Sequence, residues 1–238
     1  MGYDYHKTTW LNPNIEYLFD DTIIEHDLRD AGFSIIKQYK LLPESKIREL
    51  EALGKGIERH IIIGKIQGED KEFSKALSNK FAEIRSLFIS ANNLDDNKIL
   101  AVKKDAIYTI GECNKTRFGN LEFARKNVYS SYIRFPNIQN LEIYYSEDNI
   151  DIKGMSDSSV NRHRLYMLEF IREIISLLEM RDPKAKRIIK RFISEYKNHR
   201  LDEEYYIEFN NMSKNFNPYF NYINILVPLV QIILKEIR

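Results

Sequence analysis

Residues 69 to 91 place Phe73, Ala76, Leu77, Phe81, Ile84, Leu87 and Phe88 three and four positions apart, the spacing of one apolar stripe along a helix. A helix of that kind has to bury its stripe against something, and the segments on either side supply strands. Residues 15 to 28 are apolar and β-branched without a helical period and predict extended chain. After the turn chemistry of "NNLDDN" (92 to 97) the character is again extended, over "KILAVKKDAIYTIG" (98 to 111), "LEFARKNVYSSYIRF" (121 to 135) and "LEIYYSEDNIDIKG" (141 to 154). "PESKIRELEAL" (43 to 53) reads as a helix opened by Pro43 and stopped at Gly54, whereas the β-branched run between glycines in residues 54 to 68 reads as strand or loop. Beyond Gly154 the period is helical over 160 to 180 and over 182 to 200, where Asp182 and Pro183 form a helix start. The last apolar stretch, "INILVPLVQIIL" (223 to 234), reads as a helix interrupted at Pro228. The fold class is therefore α+β, a small antiparallel sheet with packed helices followed by an all-helical C-terminal third. The expected division falls near residues 155 to 160.

Composition limits the functions open to such a chain. The 43% apolar and 30% charged content is that of a globular protein, and 36 basic against 35 acidic residues leave a net charge of +1, so any nucleic-acid surface has to be local. A single cysteine, Cys113, excludes a disulfide framework and a multi-cysteine zinc site. No two of His6, His26, His60, His163 and His199 stand at metal-ligand spacing. The start, "MGYDYHKTTW", lacks a secretory pattern and residues 223 to 234 are too short and too polar to span a bilayer, so a cytoplasmic location without membrane contact is expected.

Two acids interrupt otherwise apolar strand-like segments: Asp27 in "IIEHDLRDAGFSIIK" and Asp105 in "ILAVKKDAIYTIG". Like charges on neighbouring strands raise each other's pKa unless a cation lies between them. Hard divalent cations are held by one or two carboxylates together with substrate phosphates, the arrangement of phosphoryl- and nucleotidyl-transfer sites. His26 is a strand neighbour of Asp27 and so points to the opposite face. It is not a candidate ligand.

"DLRDAGFSII" (27 to 36) resembles the first palm signature of family B DNA polymerases, an Asp followed by Ser-Leu-Tyr-Pro-Ser-Ile-Ile, with Asp27, Ser34, Ile35 and Ile36 matching. "KKDAIYTI" (103 to 110) resembles their third palm signature, Asp-Thr-Asp-Ser, with Asp105 on the second acid. Between the two, "KALSN" sets Lys75 and Asn79 one helical turn apart, as in that family's fingers helix. "RKNVY" (125 to 129) and "IDIKGM" (150 to 155) resemble its primer-contacting element and the strand leading into its thumb. The departures are Lys103 in place of the first acid of the third signature, Gly32 in place of the Tyr beneath the incoming sugar, Ala106 in place of Ser, and no Tyr-Gly after Asn79.

The resemblance implies a palm-like domain over 1 to 158 with reduced fingers at about 43 to 93, and a thumb-like helical domain over 159 to 238, without an exonuclease domain. It implies template-directed nucleotidyl transfer with Asp27, Asp105 and the Leu28 carbonyl as ligands of two Mg²⁺ or Mn²⁺ ions. Gly32, Ser34, Lys75 and Asn79 would then face the nucleoside triphosphate. Lys126, Tyr129 and Lys153, with Lys184, Arg187, Lys190 and Arg191 on the basic helix, would follow the primer-template. The tyrosines and phenylalanines are mostly expected in the core and on strand faces, with Tyr129, Tyr132, Tyr144 and Tyr145 as the rings able to stack on bases. Two other readings are compatible with the same residues: a palm-derived subunit that binds nucleic acid or assembles without catalysis, and a metal-dependent nuclease on the same acid pair. The C-terminal apolar stretch is the candidate surface for a protein partner or an oligomer.

Overall fold

A computed structural model describes residue 4 and residues 7–135, 141–153 and 172–201. The chain is α+β with two antiparallel sheets, and it divides into two units. The first is formed by the chain up to Asn14 and by Thr22–Val128, and the second by Ile15–Asp21 and the described residues from Tyr129 onward. The division expected near residues 155 to 160 lies outside the described residues, as do the helical expectations for 160 to 171 and the apolar stretch 223 to 234. Among the described residues no helix is long and apolar enough to cross a membrane.

In the first unit a six-stranded sheet has the order β1-β4-β5-β3-β7-β6, with β1 Thr9–Leu11, β3 Ile23–Leu28, β4 Ile99–Lys103, β5 Ala106–Ile110, β6 Arg117–Phe118 and β7 Leu121–Tyr129. Four helices run between β3 and β4: α1 Ala31–Tyr39, α2 Glu44–Ala52, α3 Ile57–Glu69 and α4 Lys71–Ala91. The helix read from the stripe at 69 to 91 is α4, capped by the Asp70 carboxylate, which accepts the Phe73 N–H at 2.9 Å. Its Phe73, Leu77, Phe81, Ile84 and Phe88 enter the core with Phe33, Ile35 and Ile36 of α1. Leu87, assigned to the stripe, is instead exposed.

Two local expectations are corrected. In the segment 54 to 68 only residues 54 to 56 are loop; from Ile57 it is α3, because Ile63 reaches the core and Arg59 makes a buried ion pair with Asp30 at 2.6 Å, while Gly64 and Gly68 lie on the open side. Tertiary contacts thus override the weak helical preference of the run Ile61–Ile63. Residues 98 to 111 are not one strand but a hairpin: Lys103 pairs with Ala106, and Lys104 and Asp105 make the turn, Lys104 at φ 51°. Likewise 121 to 135 divides at Ser130 into β7 and β8 (Ser131–Phe135), and 141 to 154 folds back as β9 Leu141–Ser146 and β10 Asn149–Lys153.

In the second unit β10-β9-β8-β2 form a four-stranded sheet, β2 being Tyr17–Leu18, with Tyr17 opposite Ile133 and Leu18 opposite Tyr132. Residues 172–179 are helical, and a further helix spans Lys184–Lys197 with Ala185, Ile189 and Phe192 buried. The Asp182 carboxylate accepts the Lys184 N–H at 2.8 Å, fulfilling its expected role at the helix start.

Candidate active-site cleft

Antiparallel pairing of β3 with β5 brings the two aspartates together. Asp27 stands opposite Ala106, and the Leu28 N–H donates to the Asp105 carbonyl at 3.0 Å. Both aspartates line one cleft of about 400 Å³ in the first unit, with Leu28 and the turn Arg29–Ala31 forming part of its wall. Strand alternation assigns the faces as expected. His26 turns inward, 2% exposed, its ring 5.1 Å from that of Phe88, while Asp27 faces the cleft. Burial lowers the His26 pKa to about 4, against opposing influence from Glu112, so the ring is neutral at physiological pH.

A left-handed residue stands three positions after Asp27 and another directly before Asp105, and each is gripped by an arginine from the intervening helices. Asp30, at φ 49°, follows Asp27 and binds Arg59 of α3; the guanidinium also lies 4.2 Å from the Phe33 ring centroid. Lys104, at φ 51°, precedes Asp105 and offers its carbonyl to buried Arg85 of α4 at 2.8 Å, while its N–H donates to the Thr8 carbonyl at 2.5 Å. Arg85 also reaches the Lys7 carbonyl at 3.2 Å, which ties the turn to the β1 entry.

The cleft contains more cation than expected. Lys126 of β7 places its ammonium 3.3 Å from Asp27 Oδ2 and 3.3 Å from Glu25 Oε1. Burial raises the Asp27 pKa; Lys126 opposes that shift, and Asp105 and Glu25 add to it. Burial alone would lower the Lys126 pKa, but attraction from Glu25 and Asp27 outweighs it and the net shift is upward. Lys55, just before α3, and His60, in its first turn, line the same cleft. Sequence reasoning missed Glu25, Lys55 and His60. Glu25 was detectable, since it stands two positions before Asp27 and so on the same strand face.

Other expected site residues lie elsewhere. Lys75 and Asn79 are exposed on α4 and do not line the cleft. Gly32 lies within α1, where an added Cβ would meet only Ile63 at 3.9 Å, so nothing in the backbone requires glycine. The Ser34 hydroxyl donates to the Arg29 carbonyl at 2.8 Å, a turn-stabilising contact. In the second unit Tyr129, Tyr132, Tyr144 and Tyr145 are all 1% exposed or less, so they belong to the core, as expected of most of the aromatic residues, and are not open to the base stacking considered for these four: Tyr144 packs on Tyr129 and Tyr132, at 5.3 and 4.9 Å between ring centroids. Lys153 pairs with Asp151 at 2.5 Å. Lys184, Arg187, Lys190 and Arg191 are exposed on their helix, three of them lining a concavity of about 390 Å³ with Ile188.

Hard oxygen donors suit Mg²⁺ or Mn²⁺ better than softer metals, and the Asp27 carboxylate, about one-third exposed, already holds a cation in the form of the Lys126 ammonium. Asp27 and Asp105 are oxygen donors lining one cleft, the donor type that hard divalent cations take. Among the described residues no group of three or more His, Cys, Asp and Glu is disposed to hold a metal by itself.

Fold and cleft define an α+β protein whose antiparallel sheet carries paired aspartates beside lysines and a histidine. Residues 2–233 match the family model of the bacteriophage PBS1 gene 130 protein, and the chain belongs to that family. A search of the curated proteins returns no match.

Proposed function

We propose that the chain is a template-directed nucleotidyltransferase of the family B DNA polymerase kind. The observation that carries this reading is that Asp27 and Asp105, chosen as the acids of two palm-like signatures, line one cleft at the ends of paired strands. The placement of Asp105 in a tight hairpin and of three helices, α2 to α4, wholly between the signatures supports it further.

In this reading Asp27, Asp105 and the Leu28 carbonyl hold Mg²⁺ or Mn²⁺. The metal, when bound, stabilises charge on the phosphate and on the attacking 3′-hydroxyl. Lys55 and His60 line the same cleft as the acids, and Lys55 is the cation that meets the triphosphate there, with the His60 imidazole as a hydrogen-bonding neighbour, in place of Lys75. The exposed Lys184, Arg187, Lys190 and Arg191 contact a nucleic-acid backbone, so binding through them weakens as salt rises.

Primer extension with dNTPs and with rNTPs, in Mg²⁺ and in Mn²⁺, tests the proposal beside Asp27→Asn and Asp105→Asn. Extension by the wild type and its loss in both variants is expected. Extension that survives both substitutions refutes the site. The second reading, a non-catalytic nucleic-acid-binding subunit, is favoured by one feature: Lys126 already neutralises Asp27, while Lys75 and Asn79 lie off the cleft wall. Salt-dependent binding to primer-template without extension under any condition would establish it over the first.

A further inference from the structure

Glu25 is too deep to be a metal ligand in its own right. Its side chain is 3% exposed; Oε2 accepts the Asn127 amide at 2.6 Å, and Oε1 faces the Lys126 ammonium. Asp27, two residues along the same strand face, is 32% exposed and open to the cleft. A hydrated divalent ion therefore meets Asp27 first. On arrival it finds Lys126 already there, and an ammonium and a divalent cation on one carboxylate repel each other.

We propose that Glu25 is a docking carboxylate for Lys126, onto which the ammonium withdraws from Asp27 when a divalent cation binds, so that Lys126 stays in the cleft to meet a phosphate. The proposal rests on the metal reading of Asp27 and Asp105. The geometry favours a short withdrawal, because the ammonium is 3.3 Å from both acids and has no need to leave one in order to reach the other. Departure into solvent is opposed by the burial of Glu25, since a carboxylate at that depth is costly to leave without its cation. Lys126 is thus a positioned cation that competes with metal, and Glu25 is the positioning residue that limits the competition.

The test is a Mn²⁺ titration without substrate, read by electron paramagnetic resonance of the free ion, on wild type, K126M, K126R, E25Q, E25Q/K126M and D27N. K126M is expected to bind Mn²⁺ on the order of tenfold more tightly, and K126R to stay near wild type. E25Q is expected to bind more weakly than wild type, because Lys126 is then confined to Asp27. In the K126M background the same change should cost much less. Affinity in K126M at or below wild type overturns the proposal, as does an E25Q loss of equal size in both backgrounds, which would make Glu25 a source of field only. If K126M fails to fold around an unpaired Glu25, E25Q/K126M against E25Q supplies the comparison, and tighter binding by the double variant is required. Mn²⁺ binding that D27N leaves untouched, or its absence from wild type and K126M alike, fails the metal reading itself.

Discussion

Replacing Arg59 by methionine removes the cation from a pair whose side chains are 5% and 17% exposed. Breaking a buried pair by deleting one partner typically costs about 3 to 5 kcal/mol, because the remaining charge stays buried. The pair here is a single contact, Arg59 Nη2 to Asp30 Oδ2 at 2.6 Å; Arg59 Nε and Asp30 Oδ1 find no hydrogen-bond partner among the described residues. That places the ionic loss near the lower end, about 3 kcal/mol. Withdrawing the guanidinium from Phe33 adds about 0.5 to 1 kcal/mol. Set against a typical domain stability of about 5 to 15 kcal/mol, the change is readily seen in urea unfolding followed by circular dichroism. The double variant D30N/R59M should recover a large part of the loss, since no charge is left stranded. Amide exchange over residues 29 to 33 should accelerate in R59M before the rest of the sheet is affected. A loss below about 1 kcal/mol in R59M, or single costs that simply add in the double variant, would refute the assignment of Arg59 as the clamp on this turn.

His26 makes stability depend on pH in a defined window. Its folded pKa of about 4 lies below the ordinary 6.5, so below pH 6.5 the unfolded chain takes up a proton that the folded chain refuses. Stability should fall by on the order of 3 kcal/mol between pH 6.5 and 4 and be free of this loss above 6.5, and urea midpoints for His26→Leu should lack that component; parallel curves for the two proteins would contradict it. Cys113 is buried, which raises its thiol pKa, and its sulfur lies 3.7 Å from the Thr109 hydroxyl. Ellman's reagent should therefore react slowly in the native protein and faster as urea populates the unfolded state, and a native rate equal to that of a free thiol would disprove the burial. Gly119→Ala should lower the melting temperature, by about 1 to 2 kcal/mol in stability, because Gly119 has φ +62° and an added Cβ would sit 2.9 Å from Gln38 Oε1, which accepts the Asn120 N–H; an unchanged melt would show that Gln38 yields freely.

What the sequence reveals about this chain follows a physical boundary. The stripe of α4 was legible because residues three and four apart share one helical face, and the buried Phe73, Leu77, Phe81, Ile84 and Phe88 all follow that spacing. The face of Asp27 was legible for the same reason, through strand alternation. The hairpin at Lys104 was not, because "VKKDA" contains neither glycine nor asparagine, and its left-handed residue is held by Arg85, Lys7 and Thr8, all distant in sequence. The helix α3 was hidden by a β-branched run and two glycines, and its reason for being helical lies in Asp30 and the core, 29 positions away in the case of the ion pair.

The same boundary explains how the cleft is built. Strand alternation sets the face of Asp27, but the turn after its strand and the turn carrying Asp105 each contain a non-glycine residue at positive φ, Asp30 and Lys104, a backbone state that is unfavourable unless surrounding contacts hold it. Those contacts come from α3 and α4, through Arg59 and Arg85. Of the helices inserted between the two acid-bearing strands, α3 thus holds the turn after Asp27 and α4 the turn before Asp105. A change that loosens α3 against α4 should disturb Asp27 and Asp105 together, even where it touches neither. The geometry of the acid pair is thus a property of the inserted helices as well as of the two short segments that carry the acids.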